Sequence, residues 1–152
     1  MSIKPMNKKG VTLIELVVVF VIIAIGAVLL APNIGAWLPN YRLRSATRDI
    51  VSTMRTAQVK AVSNNLRYQV SFTAGTGDSG SYILQRDSGG FVDDGPRQTL
   101  PKGITMSNIT FSGNNAVFNP NSTSSAGSVT LSNAKTQRRI ILTAATARVR
   151  IE

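Results

Sequence analysis

From Leu16 to Ala31 the chain reads LVVVFVIIAIGAVLLA, a run without a single charge, and this run limits what the rest can fold into. Lys4, Lys8, Lys9 and then Gly10 precede it. A helix over Val11–Ala31 reaches about 30 Å at about 1.5 Å per residue, the thickness of a bilayer core. Cations followed by an apolar run form a membrane-entry signal with the positive flank inside. A secretory signal places a small-residue cleavage site behind its apolar run, and here APNIGAW supplies only Ala31 and Gly35. The competing reading, a helix buried in a soluble core, is disfavoured by the near-absence of polar residues.

One carboxylate, Glu15, enters at the start of this run. A charge inside a spanning helix costs about 2–3 kcal/mol, so it belongs near an interface or beside a cation. A cut after Gly10 supplies the cation. The new α-amino group of Val11 lies four residues before Glu15, on the same helix face, and a neighbouring subunit's amine serves equally well. A glutamate that snorkels from a helix end without a partner remains the alternative.

The order KKG then VTLIELVVV, with Thr12, Leu13, Ile14 and Glu15 in sequence and Pro32 closing the first apolar stretch, resembles the class III signal of type IV pilins and pseudopilins. The resemblance implies cleavage after Gly10 by a prepilin peptidase, N-methylation of Val11, and Glu15 as the assembly glutamate. Val11 stands where these signals usually have phenylalanine. The implied organisation is a leader at 1–10, a transmembrane and assembly helix at 11–38, the amphipathic second half of that helix at 39–66, and a periplasmic β-domain at 67–152.

Beyond the apolar run, Pro32, Gly35 and Pro39 break helical propensity in quick succession, which predicts a kink or a locally melted turn. From Tyr41 to Asn65 the apolar residues Leu43, Ala46, Ile50, Met54, Ala57 and Ala61 recur every three or four positions, the mark of an amphipathic helix. Arg42, Arg44, Arg48, Arg55 and Lys60 occupy its other faces, and Asn64 and Asn65 close it. The remainder reads as strands at 67–73, 81–86, 103–111, 115–119, 127–133, 138–144 and 147–151, separated by Gly, Asn, Ser and Asp clusters. No helix alternates with them. The fold class is therefore α+β: a long N-terminal helix packed on an antiparallel, two-sheet β-domain.

The segments NYRLRSATRDIVSTMRTAQVKAVSNN, FNPNSTSSAGSVTLSN and RRIILTAATARVRIE together resemble the GspH/FimT family of minor pseudopilins over almost the whole chain. Ser122 stands where that family often has glycine after the Asn-Pro turn, and Ala147 where a Gly-Arg pair usually opens the final strand.

Composition narrows the chemistry. There is no cysteine and no histidine, which removes thiolate nucleophiles, imidazole bases, disulfides and nearly every common zinc constellation. No enzymatic activity, metal or cofactor is expected. GTGDSG at 75–80 satisfies G-x-G-x-x-G and echoes a serine-protease motif, but SYILQR after it is strand-like and no histidine can take a serine proton, so a hairpin turn is the better reading. Asp87, Asp93 and Asp94 could in principle chelate calcium, yet their spacing matches no calcium loop, and a solvated turn is favoured.

The net charge of +10 suits an anionic partner. Lys135, Arg138 and Arg139 open one strand, and Arg148 and Arg150 share one face of the last. Together they suggest a compact cationic patch able to contact successive phosphates without reading bases. FimT-like members of the resembled family are DNA receptors, which implies double-stranded DNA as a possible partner; solvated arginines protecting an edge strand are the plainer alternative. The expectation is a non-catalytic minor subunit anchored in the bacterial inner membrane, its β-domain periplasmic, which assembles with major and minor pilins at the tip of a secretion pseudopilus or type IV pilus.

Overall fold

The computed structural model describes residues 10–30 and 34–152. These fall into two compact units, divided between Ala36 and Trp37.

Helix α1 (Leu13–Leu30) starts two residues later than the sequence suggested, because Thr12 caps it. The Glu15 amide donates to Thr12 Oγ1 at 3.3 Å, and the Leu16 amide donates to the Thr12 carbonyl at 3.2 Å as the first rung of the ladder. Thr-x-x-Glu is the capping-box pattern, in which a hydroxyl satisfies an amide that the first turn leaves orphaned. Among the described residues no helix is long and apolar enough to cross a membrane. The 18 residues of α1 reach about 27 Å, just under a bilayer core.

Helix α2 (Ile34–Asn64) runs through Gly35 and Pro39 without a break, where the sequence predicted a kink or melted turn; Pro32 lies outside the described residues. Pro39 sits in the second turn, so its missing amide leaves only the Gly35 carbonyl unpaired, a cost the following turns offset by packing. The expected stripe is the buried one. Leu43, Ala46, Ile50, Met54, Ala57 and Ala61 are all 3% exposed or less, joined by Val51 and by Thr47, whose hydroxyl donates to the Leu43 carbonyl at 2.7 Å. Asn65 takes φ +51° and the Leu66 amide donates back to the Ala61 carbonyl, a Schellman closure at the expected asparagines.

Ten strands follow: β1 (Tyr68–Thr73), β2 (Gly75–Thr76), β3 (Ser81–Asp87), β4 (Phe91–Asp93), β5 (Gln98–Thr99), β6 (Thr105–Ser107), β7 (Asn115–Phe118), β8 (Gly127–Ser132), β9 (Gln137–Thr143) and β10 (Arg148–Ile151). They form two antiparallel sheets. The first has the order β4-β3-β1-β7, with β5 also on β3, and the second has the order β10-β9-β8-β6-β2. Inward side chains of both sheets and the α2 stripe share one core, from Tyr68, Val70 and Phe118 to Met106, Leu131, Ile140 and Leu142. Ser124 links the sheets: it bridges to Phe118 at the end of β7, while its amide donates to the carbonyl of Ala144, just after β9, and its hydroxyl to that of Thr143, the last residue of β9.

Three strands were not anticipated, and the expected strand at 103–111 is cut to Thr105–Ser107. Asn108 adopts φ +48°, after which Thr110 resumes pairing opposite Ser128, so two residues face Val129 as in a β-bulge. Both departures from the family pattern, Ser122 (φ +64°) and Ala147 (φ +46°), lie in the left-handed region where glycine is cheapest. Ser122 is exposed, so nothing but backbone strain opposes the change. Ser122→Gly is expected to raise stability by about 0.5–1 kcal/mol, relief of strain exceeding the added unfolded-state entropy. Urea unfolding checks this; a lower midpoint for the variant would contradict it.

Candidate functional site

The N-terminal features come first. Gly10, Val11 and Thr12 precede the helix in non-helical, exposed backbone, and a Cβ built on Gly10 has nothing within 4 Å. The Gly10–Val11 peptide is thus exposed. Glu15 is exposed in the third position of α1, where a carboxylate complements the positive helix end. An ammonium at Val11 would lie at that same positive end, and it is the kind of charge that needs a nearby carboxylate. On every side α1 offers apolar groups to its surroundings: Leu13 is 80% exposed, Phe20 62% and Val28 73%.

The second feature is the arginine-bearing end of the second sheet. Register decides which arginines act together. Arg148 pairs with Thr143, Arg150 with Ile141, and the amides and carbonyls of Glu152 and Arg139 are exchanged at 2.8 Å. Cross-strand partners share a face, so Arg139, Arg148 and Arg150 stand together on the outer face beside the hydroxyls of Ser128 and Thr130. The Arg139 Nε donates to Ser128 Oγ at 3.1 Å, and Arg150 pairs with Glu152 at 2.7 Å. An open groove of about 760 Å³ runs beside them, lined by Asn108, Thr110, Thr130, Gln137, Arg139 and Glu152 among others.

The five basic residues do not form the single patch that the sequence suggested. Arg138 is cross-strand to Leu131 on the inner side of the sheet, half-buried and directed to the flank of α2, because consecutive residues of a strand point to opposite faces. There it lines a hollow of about 210 Å³ with Arg44, Thr47, Arg48 and Ile151. Lys135 sits apart in the β8–β9 turn, held by the Asn133 side chain, which accepts from the amides of Lys135 and Thr136. That Arg44 and Arg48 meet Arg138 was missed from sequence, since some 90 residues separate them and only the tertiary fold joins them.

The remaining motifs resolve as turns. GTGDSG contributes β2 and a short 3₁₀ turn, Gly77–Ser79, and leads into β3 rather than a helix. Its outer glycines are needed for close approach: a Cβ at Gly75 would lie 2.6 Å from the Ser79 backbone. Asp87 pairs with Arg67, Asp94 with Lys60 at 2.7 Å, and Asp93 accepts from Gln85. The three carboxylates are thus engaged with separate partners, and the described residues contain no group of three acidic, His or Cys residues able to hold a metal.

Comparison with known proteins agrees with this layout. A family described as type II transport protein GspH matches residues 46–146, and the prokaryotic N-terminal methylation motif matches residues 5–31. No curated protein and no solved structure matches the chain. The two matches and the helix-then-two-sheet architecture define a type IV pilin-like minor pseudopilin. The chain belongs to the GspH family.

Hydrogen bonding from Arg67 holds the Asp87 carboxyl below its usual range, with the guanidinium charge acting in the same direction. A depressed folded-state value means that the pair's contribution is present above about pH 4 and is lost as pH falls through the folded value. Asp87→Asn is therefore expected to lower Tm at neutral pH and to match the parent at strongly acid pH. A Tm deficit that persists unchanged in acid would rule the pair out as its source.

Proposed function

We propose that this chain is a membrane-anchored, non-catalytic minor subunit that assembles into, or primes, the tip of a type II secretion pseudopilus or type IV pilus. The observation that carries the reading is α1: a helix apolar on every side, with those side chains exposed, needs lipid or the helices of neighbouring subunits to cover it. The uncharged sequence continues past α1 to Ala31, and local thinning of a bilayer accommodates the few Å still missing. The anchor lies in the bacterial inner membrane, with the β-domain on the periplasmic side.

In this scheme prepilin peptidase cuts after Gly10, and Val11 becomes the N-methylated terminus. The open backbone at 10–12 and the methylation-motif match support both steps. Glu15 then neutralises a terminal ammonium, its own or that of a neighbouring major or minor pilin, and so fixes the axial register of one subunit against the next. Pro32 is placed by sequence at the end of the anchor. Glu15→Ala is expected to leave insertion and cleavage intact and to remove the subunit from assembled complexes; normal co-purification of the variant would exclude this role.

A second reading, a minor pilin that holds double-stranded DNA for uptake, draws support from the outer-face arginines. Arg139, Arg148 and Arg150 lie on one surface with hydroxyls between strands, an arrangement that suits phosphates in succession. Lys135 and Arg138 sit outside that surface. The full chain in detergent is expected to retain duplex DNA with steep salt dependence, and Arg148→Ala/Arg150→Ala to lose most of the retention. Equal retention by parent and variant would reduce the effect to general positive charge.

A further inference from the structure

We propose that the end of the β-domain around the start of α2 docks on anionic phospholipid headgroups, through a helix stripe formed by Trp37, Tyr41, Arg44 and Arg48 and completed by Arg138. Steps of four, three and four residues place the first four side chains on one face of a continuous helix. This face lies away from the buried stripe of Leu43, Ile50, Met54 and Ala57. Trp37 and Tyr41 are 63% and 53% exposed, yet their rings stack on each other with centroids 5.1 Å apart. Two large amphipathic rings left open to solvent in this way match the belt that aromatic residues form at a membrane interface.

The arginines follow in the order that a bilayer surface requires. Arg44 lies about 10 Å beyond Trp37 along the axis, and helical side chains lean toward the N-terminus, hence back toward the aromatic end. Arg44, Arg48 and Arg138 surround one hollow of about 210 Å³ whose lining contains no carboxylate. Among the described residues none of the three forms an ion pair. Glu152 lines the adjoining hollow, but its carboxylate is held by Arg150. Three unneutralised guanidiniums around a small concavity suit a phosphodiester, which their planar forks bind in pairs of parallel hydrogen bonds. The stacked aromatic pair favours lipid over nucleic acid, because each ring already gives one face to the other while the exposed remainder, apolar in body and polar at its edge, suits a headgroup layer.

The inference rests on the membrane-anchored reading for the nearness of a bilayer, and the two can be separated. Trp37 is the sole tryptophan, so its fluorescence reports this site. Full-length chain is reconstituted in liposomes of phosphatidylcholine alone and with about one-third phosphatidylglycerol, and acrylamide access to Trp37 is measured. Access is expected to fall at least about twofold with phosphatidylglycerol and to recover at high salt. Arg44→Gln/Arg48→Gln/Arg138→Gln should abolish the difference, whereas lysine at the same positions should keep most of it. Equal access in both lipids, or a glutamine variant that behaves as the parent, overturns the proposal; if that variant instead loses duplex DNA, the stripe belongs to nucleic acid. Retention on pure phosphatidylcholine through an alkaline wash tests the anchor alone. A chain that washes off but still shows phosphatidylglycerol-dependent protection of Trp37 would refute the anchor and uphold the docking.

Discussion

Everything in the β-domain depends on the burial of one face of α2. Ile50, Met54, Ala57 and Ala61 are fully excluded from solvent, and they form the only helical surface on which the inward side chains of both sheets converge among the described residues. Each sheet alone would expose an apolar face; packed on the same stripe, they close a single core. Ala46, Ala57 and Ala61 are buried in that core together with the larger side chains of Ile50 and Met54. The hydrogen bonds of Ser124 tie the far ends of the two sheets, so their relative position is fixed by polar contacts as well as by packing.

That stripe was legible in the sequence because a 3.6-residue period leaves a plain mark over six apolar positions. The longer strands were legible for the same kind of reason. The strands Gly75–Thr76, Phe91–Asp93 and Gln98–Thr99 were not, since two or three residues cannot display an alternation and are strands only because β3 or β6 offers them an edge. Local propensity also failed at Gly35 and Pro39, where tertiary packing of the turns beyond keeps the helix intact.

The site was readable in part. Glu15 stood out as an isolated charge in an apolar run, but its partnership with Thr12 was overlooked, although the Thr-x-x-Glu spacing was present to be read. The arginines were recognised by type and misassigned by face: alternation alone separates Arg138 from Arg139. The meeting of Arg138 with Arg44 and Arg48 lay beyond any local pattern, because it follows from which sheet edge settles against α2.

The cap on α1 has a consequence for the proposed processing. Thr12 begins the helix two residues beyond Gly10, so the hydroxyl that sets the first turn belongs to the part of the chain that the proposed cut would keep. The proposed cut after Gly10 would therefore take away none of the groups that start the helix. It would replace the Val11 amide by an ammonium and remove Lys4, Lys8 and Lys9. Such a maturation would work as an electrostatic label, changing the charge that neighbouring subunits meet while the cap stays within the retained chain.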